Sequence, residues 1–301
     1  LRLMFTCCHP SLSLDAQVAL CLRTLGGLST VEIARALVVP EQTMAKRLTR
    51  AKQKIRIARI PYRVPSDDEL PTRLPGVLTT IFLIFNEGYA AGGGQDLMRV
   101  VLTDEALRLG RLAHALMPDE ASVSGLLALM LLQDSRRAAR SDGAGDVIPL
   151  AEQDRGLWNA AQIREGVELV GAALRRTPRQ PDQYAVQAAI AACHALAPDY
   201  ASTDWDAIVS WYDVLLSVQD VPAARLGRAS AIAERDGAAV GLAEVDAITG
   251  LDQHAWWHAS RAELLYRLGR DGEGADACAA AIALGLNSAH ARYLQRPRLE
   301  R

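Results

Sequence analysis

The sequence predicts an all-α protein, and three observations carry that prediction. Half of its 301 residues are hydrophobic, yet only 5% are aromatic. Alanine and leucine dominate, and Val/Ile-rich alternating runs are almost absent, a composition that favours helices packed on helices. Apolar residues also recur at helical spacing, with turn signals between the runs. A chain of this length divides into two or three domains.

The first segment, residues 1–59, reads as a helix-turn-helix domain. Val18, Leu20, Leu22 and Leu25 give a helical stripe that Gly26-Gly27 ends. Ser29 and Glu32 then form a capping box, the reciprocal N-terminal signature in which each satisfies a backbone N–H. Ile33, Ala34 and Leu37 are the inner face of a short support helix, and small Ala34 lets a second helix cross closely. Val38-Val39-Pro40 turns the chain, and Met44, Leu48 and Ala51 anchor the next helix on the core.

That packing leaves Gln42, Thr43, Lys46, Arg47 and Arg50 facing outward. Between Met44 and Arg59 the chain holds seven Lys and Arg residues and no acid, although the net charge of the protein is only -2. Such local asymmetry is the footprint of a nucleic-acid contact. The candidate DNA-binding set is Thr30, Gln42, Thr43, Lys46, Arg47, Arg50 and Lys52. Gln42 suits adenine, Arg47 suits guanine, and the later basic residues suit phosphates. The bland alternative is a solvated basic helix on an ordinary bundle.

Residues 60–73 form a Pro-containing linker around Ile60-Pro61-Tyr62-Arg63-Val64-Pro65, extended by its prolines. A helical middle domain, residues 74–177, follows, with helices expected at 74–86, 97–116, 120–135 and 160–175. The stretch 142–150 allows a turn and a small two-stranded element. Residues 178–301 read as stacked helical hairpins pairing 184–196 with 205–216, 222–234 with 238–249, and 256–268 with 273–284. Their period approaches the roughly 34 residues of tetratricopeptide repeats. In the last unit Ala262, Gly269 and Ala281 stand where that repeat wants small residues, while Gly274 and Cys278 depart from it.

Several other features invite chemistry. Cys7-Cys8-His9 has no second Cys/His pair nearby in sequence for a zinc site, so buried thiols are the better reading, with redox sensing a weaker one. Gly88 in Asn86-Glu87-Gly88-Tyr89 reads as a helix C-terminal break, with Glu87 in a capping or interdomain role. Ala91-Gly92-Gly93-Gly94 lacks the Lys-Ser/Thr of a phosphate loop, and Asp142 with Asp146 falls short of a calcium loop. The histidines are scattered, so no enzyme, metal or cofactor is expected. Trp205, Trp211, Trp256 and Trp257 read as core or hairpin-packing residues. The concave face of the repeats is the alternative functional surface, for a ligand, a peptide or a protein. Five cysteines in no framework spacing point to a reducing, cytoplasmic setting, and no apolar run is long enough to span a bilayer.

The stretch from Ala16-Gln17-Val18-Ala19-Leu20 through Ile33-Ala34 to Arg50-Ala51-Lys52 resembles region 4 of bacterial extracytoplasmic-function sigma factors. Phe5-Thr6-Cys7-Cys8-His9-Pro10, the Ile60–Pro65 stretch, 83–89 and 126–132 extend the likeness to the subgroup with a large tetratricopeptide-like C-terminal extension. The resemblance implies that region 4 reads the -35 promoter element, with Gln42, Thr43, Lys46, Arg47 and Arg50 on DNA, and touches the flap of the RNA polymerase β subunit. It also leads to the expectation that region 2, which reads the -10 element, lies N-terminal to Leu1. The competing expectation is another helix-turn-helix regulator whose repeats bind a ligand, peptide or protein.

Overall fold

The computed structural model describes residues 2–37, 39–58, 66–89 and 98–296. Among these residues it contains fifteen α-helices and no β-strand, so the protein is all-α. The helices fall into two compact units.

The first unit holds α1 (Arg2–Cys7), α2 (Leu14–Thr24), α3 (Thr30–Ala36), α4 (Glu41–Ile57), α5 (Leu70–Tyr89) and α6 (Val100–Leu116). Helix α2 is the hub, packing on α1, α3, α4 and α5. The reason is its composition: every residue from Ala16 to Leu22 is buried, including Gln17. Gln17 is tolerated there because its Nε2 donates to the carbonyls of His9 and Leu12 at 3.1 and 3.0 Å, which satisfies the amide and pins the α1–α2 turn.

The expected linker, 60–73, and middle domain, 74–177, do not coincide with the compact units of the packing. Residues 60–65 lie outside the described residues, but 70–73 already belong to α5. Arg73, only 3% exposed, donates through Nη1 to the Phe5 carbonyl at 3.0 Å and pairs through Nη2 with Glu69 at 2.7 Å. Gly76 sits so close to the α1–α2 turn that a Cβ there would lie 3.0 Å from the Cys8 Sγ. Leu74, Val77, Leu78, Ile81, Ile84 and Phe85 are all buried. An apolar stripe of that width needs a partner surface, and α1 and α2 supply one, so α5 and α6 join the helix-turn-helix instead of α7 and α8.

Gly88 does not end its helix. Helix α5 continues to Tyr89, and a Cβ on Gly88 would lie 2.6 Å from the Thr103 amide nitrogen. The glycine serves close approach to the start of α6, sealed by the Arg99 amide donating to the Gly88 carbonyl at 2.7 Å. The segment 91–94 lies outside the described residues.

The second unit holds α7 (Ala121–Asp134), α8 (Ala160–Arg176), α9 (Gln183–Leu196), α10 (Trp205–Val218), α11 (Pro222–Asp236), α12 (Ala238–Asp246), α13 (Ala255–Arg267), α14 (Asp271–Ala283) and α15 (Ser288–Gln295). Each helix packs on the next in sequence, as stacked hairpins require. One apolar cluster runs through α9, α10 and α11, and another through α11 to α15. Ala262 and Ala281 are fully buried, and Gly269 turns the chain with φ +78°. Gly274 departs from alanine for a steric reason: a Cβ there would lie 2.8 Å from the Tyr266 ring.

Two expectations in this unit change. The two-stranded element at 142–150 is a single antiparallel bridge between Ser141 and Val147 around a turn. Trp256 is not core: it stays 42% exposed, whereas Trp257 is partly buried and donates its Nε1 to the Val245 carbonyl at 2.9 Å. Helix α15 returns to the bridge turn, where Arg292 and Arg296 pair with Asp146 at 2.6 and 3.4 Å.

Candidate nucleic-acid interface

The candidate interface begins with a cap. The Ser29 Oγ accepts from the Glu32 amide at 3.2 Å, and Glu32 Oε2 accepts from the Ser29 amide at 2.6 Å, the capping box expected from the sequence. These backbone and hydroxyl donors, with Arg99, hold the Glu32 carboxyl below its ordinary pKa. Arg99 Nη1 lies 2.5 Å from Glu32 and 3.4 Å from Glu87, so one guanidinium ties the start of α3 to the junction of α5 and α6. Glu87 is 7% exposed, and its burial raises its pKa although Arg99 opposes the shift. Its role is structural, within the first unit.

Helix α4 follows the α3 turn, where the Val39 amide donates to the Ala34 carbonyl at 2.9 Å. Met44, Leu48 and Ala51 are buried, and α4 packs on α2 and α3 through them. Residues 43, 46, 47, 50 and 54 recur at i, i+3, i+4, i+7 and i+11, so they share one face of the helix. The structure gathers Thr43, Lys46, Arg47, Arg50 and Lys54 with Leu12, Ser13 and Ala16 around a groove of about 380 Å³. Four cations therefore line a single groove.

The predicted residues do not all reach it. Gln42 is exposed on the flank of α4. Lys52 is exposed roughly half a turn away from Arg50, as a 3.6-residue repeat places it. Thr30 is half-buried at the first position of α3. Two groove residues were missed: Lys54, whose i+4 spacing from Arg50 was legible, and Ser13, which only the packing of α2 on α4 brings near. Arg47 also differs from a free base-reader. Its Nη1 donates to Asp15 Oδ2 at 2.8 Å, and it is 28% exposed.

A cysteine cluster lies where α1, α2 and α5 meet. Cys8 and Cys21 are buried with their sulfurs 3.7 Å apart, and all five cysteines are free thiols. A hydrogen bond with Cys21, then burial, pushes the Cys7 thiol well above its ordinary range, which disfavours the reactive thiolate. No group of three or more His, Cys, Asp or Glu among the described residues is placed to hold a metal ion, and no helix there is long and apolar enough to cross a membrane.

Comparison with known proteins identifies families along the chain. Residues 2–55, spanning α1 to most of α4, match the family "Sigma-70, region 4". Residues 73–174 match a family of unknown function, DUF6596, so that family straddles the two compact units. An uncharacterized protein of Rhizobium meliloti (strain 1021) is 42% identical over 296 residues, covering 98% of this chain and 70% of its own length. The chain belongs to the family of that Rhizobium protein and carries a sigma-70 region 4 domain on α1–α4.

Proposed function

We propose that this chain is the -35-reading and regulatory part of an alternative sigma factor of the extracytoplasmic-function type, with a tetratricopeptide-like extension. One observation carries the reading: in a chain whose residues 2–55 match sigma-70 region 4, α4 lines up Lys46, Arg47, Arg50 and Lys54 on one open groove. Helix α4 docks in the major groove of the -35 element, where Gln42, Thr43 and Arg47 read base edges and Lys46, Arg50 and Lys54 meet phosphates. Thr30 and Lys52 lie at the margins of that contact. The same domain touches the β flap of RNA polymerase, and the helical extension regulates that engagement. The action is non-covalent and needs no cofactor, as expected of a cytoplasmic transcription factor.

The test is fluorescence anisotropy of the protein on -35 duplexes and scrambled duplexes across a salt series. Arg50→Ala is expected to weaken both duplexes alike and to lower the salt slope by about 1, the signature of one lost phosphate contact. Equal affinity and slope in wild type and variant would remove α4 from the interface.

A further inference from the structure

Of the four cations that line the α4 groove, one is held differently from the rest. Lys46, Arg50 and Lys54 are exposed, and no carboxylate among the described residues pairs with them. Arg47 is half-buried, and its Nη1 donates to Asp15 Oδ2 at 2.8 Å, a charge-assisted bond. Asp15 comes from another helix. It stands in the first turn of α2, next to Ala16, which is buried and lines the same groove. Helix α2 packs on α1, α3, α4 and α5, so the carboxylate is mounted on the most contacted helix of the first unit.

The bond restricts the guanidinium without using it up. A long side chain that docks on a base gives up rotamer freedom, and a second hydrogen bond made in advance reduces that loss. Asp15 takes the Nη1 end, and the Nε–Nη2 edge meets no other acceptor among the described residues. Two neighbouring N–H groups are what the O6 and N7 acceptors of guanine require in the major groove.

We propose that Asp15 is a positioning residue for base recognition: it aims Arg47 at one guanine and so sets the sequence preference at that base pair. This rests on the reading of α4 as the -35-reading helix. The unrestrained Lys46, Arg50 and Lys54 add affinity through phosphates, which carry no sequence information. Asp15 has a double effect, because its charge also opposes phosphate: it lowers affinity for every duplex and raises discrimination at one position.

The full chain is used to select from duplexes with a randomised eight-base-pair window, and the bound fraction is sequenced. Duplexes that differ only at the guanine position are then compared by anisotropy. Wild type is expected to enrich guanine at one position and to prefer it there about tenfold, the scale of one two-pronged contact. Asp15→Ala should abolish that preference, as Arg47→Ala does, and leave the other positions unchanged. Asp15→Asn keeps an acceptor at the same place without the charge, so it should retain about threefold of the preference. Both Asp15 variants should bind all duplexes more tightly at low salt, which separates charge from positioning. The Asp15 side chain is 59% exposed, so the variants keep the fold, and melting curves verify this.

A preference that Arg47→Ala removes and Asp15→Ala leaves intact would overturn the proposal and spare the -35 reading. So would a preference that Arg47→Ala does not touch, or one that Asp15→Ala flattens at every position. No preference at any position in wild type would overturn both.

Discussion

At the scale of single residues, the informative positions are those where a charge or a glycine meets a neighbour that the sequence does not reveal. Arg47 is the clearest. Its side chain is paired with Asp15 from another helix, at the edge of the groove that Lys46, Arg50 and Lys54 also line. An exposed pair of this kind is worth little in stability, at most about 1 kcal/mol. Its consequence is for binding, because the Asp15 carboxylate repels phosphates and occupies the Arg47 fork. Asp15→Asn should therefore raise affinity for any duplex at low salt and steepen the salt slope by about 1, as the carboxylate no longer offsets one of the groove's cations against phosphate. Anisotropy titrations of the variant across salt read both quantities, and an unchanged slope would show that Arg47 is already fully engaged with DNA in the wild type. Glu87 teaches the same lesson in reverse. Its place in a Gly-containing motif suggested capping or contact between domains, and the structure makes it a buried acceptor for Arg99 inside one unit.

At the scale of elements, the helices themselves were largely legible. The paired helices of the second unit fall within a few residues of their expected limits, because Gly, Pro and Asp punctuate strongly periodic runs. What the helices hold between them was not legible. His194 on α9 and His290 on α15 both have pKa values driven down to about 4 from an ordinary 6.5, by burial first and then by guanidiniums: Arg136 and Arg155 for His194, Arg140 for His290. The fold thus resists protonation that the unfolded chain accepts. The stability these imidazoles confer is complete above pH 6.5 and is lost as pH falls from there through about 4. Melting temperature should drop over that window, and His194→Asn with His290→Asn should flatten the dependence. A wild-type profile that is flat between pH 6.5 and 4 would contradict this account.

At the scale of the whole molecule, the division of the chain is the largest departure from expectation. Composition placed a boundary in the Pro-containing linker, yet α5 buries its apolar stripe in the same unit as α1 and α2. The DUF6596 match over 73–174 follows the sequence boundary, and the packing does not. A fragment of residues 1–59 accordingly leaves bare the surface of α2 that α5 covers, whereas residues 1–118 contain the complete first unit. Residues 1–118 should melt cooperatively by circular dichroism, and residues 1–59 should melt at markedly lower temperature and without a sharp transition. Equal, sharp melting of the two fragments would return the boundary to the linker. The comparison also decides which fragment is suited to DNA-binding measurements.

The sequence by itself determined the all-α class, the capping box that starts α3, the buried spacing of Met44, Leu48 and Ala51, and the basic face of α4. Each of these is a local property, set by helical periodicity and by hydrogen bonds within a few residues. Only the tertiary structure decided that Asp15 holds Arg47, that Ser13 joins Lys54 at the groove, and that α5 buries its apolar stripe against α1 and α2. Those pairings join helices far apart in the chain. Their register depends on which apolar faces find each other, a choice made by packing area and by glycines such as Gly76 and Gly88 that permit close approach.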